Sequence, residues 1–113
     1  MIDLEKMAKE HEKLFPNATL ESQVWKLEEE INEAKETKTY DENIKEIADI
    51  IIVCGGLYRW CPSVAESVCS FYNDWDNYDK AILESEVNRK WQVNLKRKWV
   101  WNGKTYHHEG NDE

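Results

Sequence analysis

The chain is short of the residues that break, cross-link or anchor a fold. Four Gly and two Pro in 113 residues leave no long linker and no low-complexity tract. The three cysteines, Cys54, Cys61 and Cys69, are odd in number and lack paired metal spacing, which argues against a disulfide framework and a zinc site. They read as reduced thiols in helices. No apolar run approaches a membrane span, and Met1-Ile2-Asp3-Leu4-Glu5 does not resemble a signal peptide, so no membrane partner is expected and a cytoplasmic location is the default. Gly55-Gly56 lacks the following Lys-Ser/Thr of a phosphate-binding loop. Glu-x-x-His is absent, which lowers di-iron bundle chemistry sharply. Positive charge is scarce as well: the net charge is −8, which argues against a general nucleic-acid binder.

What the chain has is helical periodicity. Leu4, Met7, Ala8 and Leu14 mark a first helix over 3–14, broken by Phe15-Pro16-Asn17. Thr19 caps a second, whose stripe of Leu20, Val24, Leu27, Ile31 and Ala34 repeats every three or four residues. Thr39 and Glu42 have capping-box spacing and open a third helix, the most apolar one, on Ile44, Ile47, Ala48, Ile51, Cys54 and Tyr58. The run Ile50 to Val53 also fits a buried strand, but its periodic flanks and cap favour helix. Gly55 and Gly56 either permit a close helix crossing or kink the helix. Pro62, with Ser63 three residues before Glu66, suits the start of a fourth helix. Residues 73–77 interrupt, a last helix runs from about Tyr78 to Lys98, and Asn102-Gly103 is a tight turn before a polar tail, 104–113, that is poorly ordered at its very end. The expected fold is one all-α domain over 1–113, a compact bundle of four or five helices. A core this modest is often supplemented by oligomerisation.

Two acidic pairs stand out on these helices. Glu30/Glu33 and Glu46/Asp49 are each spaced three apart, so each pair shares a helix face, and Glu29 directly precedes the first. All four border apolar stripes, whereas Glu28 and Glu36 read as solvated. Two such helices packed side by side aim four or five carboxylates at one point. That cluster repels itself unless cations neutralise it, and oxygen-only ligands suit a hard cation such as Mg²⁺ or Mn²⁺. Charge is unevenly placed along the chain. Residues 1–49 carry 14 acidic and 7 basic side chains, while residues 84–101 set Arg89, Lys90, Lys96, Arg97 and Lys98 against Glu84 and Glu86. Carboxylates that hold a metal beside cations that hold phosphates suit a metal–phosphate ligand.

The segments Glu29-Glu30-Ile31-Asn32-Glu33 and Glu46-Ile47-Ala48-Asp49, with twelve residues between them, resemble the paired acidic motif of the MazG-like, all-α nucleoside triphosphate pyrophosphohydrolases. The likeness covers roughly residues 20–100, and residues 22–58 carry nearly all of it. It implies Mg²⁺-dependent hydrolysis of a nucleoside triphosphate to the monophosphate and pyrophosphate, in a dimer or tetramer whose sites are completed across subunits. Glu30, Glu33, Glu46 and Asp49 would hold the metal, and Glu29 would hold a further metal or orient water. Lys90, Asn94 and Arg97, at spacings of four and three, resemble the family's triphosphate contacts; without that likeness they read as a solvated basic face. Arg89, Lys96 and Lys98 lie off that face. Among the six Trp, which also suit core or oligomer contacts, Trp25 and Trp99 are base-contact candidates, with Gln23 beside them. His107-His108 reads as surface. Two other classes remain: a helical protein-binding module without catalysis, and a different metal-dependent phosphohydrolase.

Overall fold

The computed structural model describes residues 2–109. Five helices form the body: α1 (Leu4–Leu14), α2 (Leu20–Lys35), α3 (Tyr40–Leu57), α4 (Pro62–Tyr72) and α5 (Asn77–Lys96). The chain ends in a two-stranded antiparallel hairpin, β1 (Trp99–Trp101) and β2 (Tyr106–His108), in the register Trp99↔His108, Val100↔His107 and Trp101↔Tyr106. The all-α expectation therefore holds for the body and is corrected at the end. The polar tail supplies a strand as far as His108; its expected poor order falls on residues 110–113, outside the described residues.

Short polar side chains start most of the helices by satisfying otherwise orphaned N–H groups. Asp3 accepts from Lys6 N at α1, and Asp76 accepts from Asp79 N at α5. Thr19 and Ser22 form a reciprocal capping box at α2. At α3 only half of the expected box forms: Thr39 Oγ1 accepts from Glu42 N, while the Glu42 carboxylate takes Lys38 N at 2.9 Å instead. The Ser63–Glu66 box does not form, because the helix has already begun at Pro62, with Cys61 at the cap position and no side-chain cap bond. The fifth helix stops before Lys98 because Arg97 turns extended (φ −79°, ψ 158°) and feeds β1.

Every other helix packs on α3. Residues 50–57 of α3 are all buried, and Ile50, Ile51 and Cys54, with Ala48 before them, are fully so. Each fully buried Ile contributes about 1.5–3 kcal/mol of transfer free energy. The run of β-branched residues is thus a helix buried on all sides, not a strand. The hairpin returns to the body through aromatic contacts. Phe15 meets Trp99 edge-on at 5.1 Å and Tyr106 at 4.8 Å, and the Tyr106 hydroxyl accepts from Asn17 N at 2.9 Å. Its turn rests on Gly103, at φ +93°, and on the Asn102 carboxamide oxygen, which accepts from Lys104 N and Thr105 N.

Gly55 and Gly56 serve a close crossing, since α3 runs unbroken through them to Leu57. A Cβ at Gly55 would lie 2.9 Å from Met7 Cβ, and one at Gly56 would lie 2.5 Å from His11 Nε2. Alanine gains about 1 kcal/mol of helix propensity, but overpacking a filled interior costs about 1–3 kcal/mol. At Gly56 the neighbour is a buried, hydrogen-bonded imidazole, so the overlap wins. Gly56→Ala is expected to lower stability by about 1–2 kcal/mol, read from denaturant midpoints at unchanged slope; a variant as stable as the parent would show that α1 can withdraw freely.

Candidate functional site

The connection at residues 36–39 folds α3 back against α2 and brings the two acidic motifs together. Carboxylate oxygens of Glu30, Glu33 and Glu46 lie within 4.8 Å of one another. Glu30 and Glu46 are half-buried and Glu33 is exposed. One oxygen of Glu30 and one of Glu46 are buried without a hydrogen-bond partner. Leaving a buried acceptor unsatisfied costs about 1–3 kcal/mol each, so both atoms call for a donor or a cation.

Protonation relieves the crowding when no cation is present. Burial, then the charges of Asp49 and Glu33, push the Glu30 carboxyl up to about 8. Burial, Asp49 and Glu33 raise Glu46 too, against the opposing pull of Lys90. Asp49 is raised by burial but held down in part by Lys90. That lysine donates to both Asp49 oxygens at 3.0 Å and to the Lys45 carbonyl at 3.1 Å. Asp49 therefore stands beside the three-carboxylate group, already paired. Glu29 stands outside it, on the exposed side of α2, with its carboxylate 3.5 Å from Lys26 Nζ.

The basic element lies next to the acids. Lys90, Asn94 and Arg97 line a groove of about 340 Å³ together with Lys45 and Arg89. Arg89, expected off this face, reaches the groove while ion-pairing with Glu86 at 2.6 Å. Lys45 was not singled out from the sequence, although it adjoins Glu46 and lies one turn before Asp49. Asn94 also lines a second cleft, of about 90 Å³, walled by Trp91, Trp99, Phe15 and Tyr106. Gln23 and Lys26 border that cleft from α2. Trp99 is fixed by donating its indole N–H to the Asn94 carbonyl at 2.8 Å. Trp25, the other base-contact candidate, does not line the cleft, and Lys104 Nζ sits 4.4 Å over its ring. His108 meets Trp99 edge-on and, with His107, belongs to the hairpin rather than to the carboxylate group.

A buried polar relay behind the cleft escaped the sequence reading. Arg59 Nη1 donates to His11 Nδ1 at 3.0 Å. Burial first, then Arg59, lowers the His11 pKa to about 3, so the ring is neutral at ordinary pH and carries its proton on Nε2, which bonds the Gln23 side chain. The signal was available: His11 falls four residues after Met7 and four before Phe15, on the apolar side of α1.

Comparison with protein-family models, with curated proteins and with solved structures finds no match to this chain. The functional reading therefore rests on the residues and their arrangement.

The Glu30 shift has a sign that melting experiments read. Its folded pKa lies above the ordinary carboxylate value, so the folded protein binds the extra proton between about pH 4.5 and 8. Without metal, stability falls as pH rises through that window. Glu30→Gln mimics the protonated carboxyl, so it should flatten this slope and melt higher than the parent at pH 8. Parallel Tm–pH curves for the two proteins would show that Glu30 is not the group that titrates.

Proposed function

We propose that the protein is a Mg²⁺-dependent nucleoside triphosphate pyrophosphohydrolase of the MazG-like, all-α kind. The observation that carries this reading is the convergence of Glu30, Glu33 and Glu46 from two helices, with an unsatisfied buried oxygen on each of Glu30 and Glu46, beside a basic groove. The donor set is oxygen only, and it fits Mg²⁺ or Mn²⁺. Glu30, Glu33 and Glu46 would hold the cation, with Asp49 joining them once Lys90 lets go. When bound, the cation would neutralise phosphate oxygens and polarise a water.

The chain's own residues divide the remaining work. Arg97 and Lys90 face the groove where the β- and γ-phosphates would lie, Arg offering a planar fork and Lys a point charge. Asn94, shared by groove and cleft, would mark the junction between phosphates and nucleoside. The aromatic walls of the cleft suit a flat base, with Gln23 held in its wall by His11. Water adds to the α-phosphorus, the bond from that phosphorus to the bridging oxygen breaks, and pyrophosphate leaves with the electron pair. Glu33, the exposed member of the group, would take the proton of the water on the oxygen that does not hold the cation. The cellular role would be control or sanitation of the nucleotide pool. A homo-oligomer is part of the proposal, supported by Val64, Phe71 and Tyr78, which stand 52%, 73% and 75% exposed on α4 and the start of α5. No helix among the described residues is long and apolar enough to cross a membrane.

The test is incubation with ribo- and deoxyribonucleoside triphosphates and Mg²⁺, with pyrophosphate and orthophosphate measured separately. Pyrophosphate release, abolished by chelation, is expected. Glu46→Gln and Asp49→Asn should fold normally and lose activity by about a hundredfold or more, as when a charge-stabilising group is removed. Orthophosphate as the product would instead indicate a different phosphohydrolase. No turnover, with no Mg²⁺ effect on Tm, would favour a binding module using the exposed aromatic face.

A further inference from the structure

We propose that Lys90 is an exchangeable internal counter-ion that couples cation capture to phosphate capture. In the structure it holds Asp49; a divalent cation reaching the carboxylates frees it, and it then turns to the phosphates. This inference rests on the metal–nucleotide reading above.

A lysine ammonium has three N–H donors. Lys90 Nζ has three acceptors, both Asp49 oxygens at 3.0 Å and the Lys45 carbonyl at 3.1 Å. Its one positive charge is already paired with Asp49, although the side chain lines the groove with Asn94 and Arg97. A phosphate entering the groove thus competes with Asp49 for the same charge. A divalent cation competes with Lys90 for the Asp49 charge in the same way, whereas Glu30 and Glu46 each keep a buried oxygen with no partner. The two partners in this ion pair are therefore the two groups whose charges a metal–phosphate ligand would reclaim.

The exchange is physically inexpensive. Both side chains are only partly exposed, 21% for Lys90 and 31% for Asp49, so either charge left alone would be poorly solvated. A cation at Asp49 replaces the ammonium, and a phosphate at Lys90 replaces the carboxylate, so neither is stranded. Lysine is a point charge on a flexible stem and can be redirected without moving α5. Each ligand removes the other's competitor, and thermodynamic linkage makes the effect mutual, typically about 5–150-fold.

The experiment uses the whole protein, Mn²⁺ and inorganic pyrophosphate as probes. Calorimetry reports Mn²⁺ affinity, and limited amine acetylation read by mass spectrometry reports access to Lys90, with exposed Lys96 and Lys98 as internal references. Lys90 should be protected in the metal-free protein, label several-fold faster with Mn²⁺ alone, and be protected again when pyrophosphate is added. Asp49→Asn should label fast at Lys90 without metal. Pyrophosphate should tighten Mn²⁺ binding about tenfold, and Lys90→Met should bind Mn²⁺ more tightly alone and lose that tightening. Mn²⁺ binding with unchanged labelling of Lys90 would overturn the exchange while leaving the metal reading intact. No Mn²⁺ binding at all would overturn both.

Discussion

The constraint on which the site depends is the repulsion among carboxylates held at the seam between α2 and α3. Glu30, Glu33 and Glu46 crowd within 4.8 Å, and Asp49 adds its charge from the next turn of α3. Packing α3 at the centre of the bundle forces this arrangement, because the face of α3 that buries Ile50 and Val53 also carries Glu46 and Asp49 to the α2 contact. The molecule offsets the repulsion in two ways: it raises the proton affinity of Glu30, and it lends Lys90 to Asp49. Neither satisfies the buried oxygens of Glu30 and Glu46. The repulsion within the carboxylate group is thus compensated only in part.

The helical body was legible because its signals are local. Thr19, Thr39 and the apolar repeat of α2 set helix starts and faces through interactions within one or two turns. The pairing of the acidic motifs was legible for the same reason: a short connection leaves α3 few options other than lying along α2. The hairpin was not legible, because its strands are three residues each and are fixed by distant partners. Phe15 and Asn17, more than eighty residues away in sequence, supply the contacts that hold Trp99 and Tyr106. Periodicity has nothing to say about such contacts.

Within the site, sequence spacing identified faces but not pairings. Glu29 and Trp25 satisfy the spacing argument and yet point elsewhere, one to Lys26 and one under Lys104. Lys45 and Arg89 fail the spacing argument and yet line the groove, because long basic side chains bend around a helix. Lys90 was expected as a phosphate contact from its spacing, and it lines the basic groove. What the sequence could not express is that the same ammonium is already committed to Asp49.

The aromatic cleft and the acidic seam meet through α2 and Asn94, and this junction explains why an odd structural element sits at the end of an otherwise helical chain. The groove alone recognises charge, which any polyphosphate carries. Adding Trp99 and Tyr106 from the hairpin to Trp91 from α5 and Phe15 from the α1–α2 connection builds a flat-walled space next to the charge. A ligand that fills both must pair a planar apolar part with an anionic tail at one fixed separation. His11, buried and neutral against Arg59, then keeps Gln23 in the wall without adding charge to it. The charged side chains thereby gather at the α2–α3 seam and in the groove, and Lys26 is the one charged side chain among the residues that line the cleft.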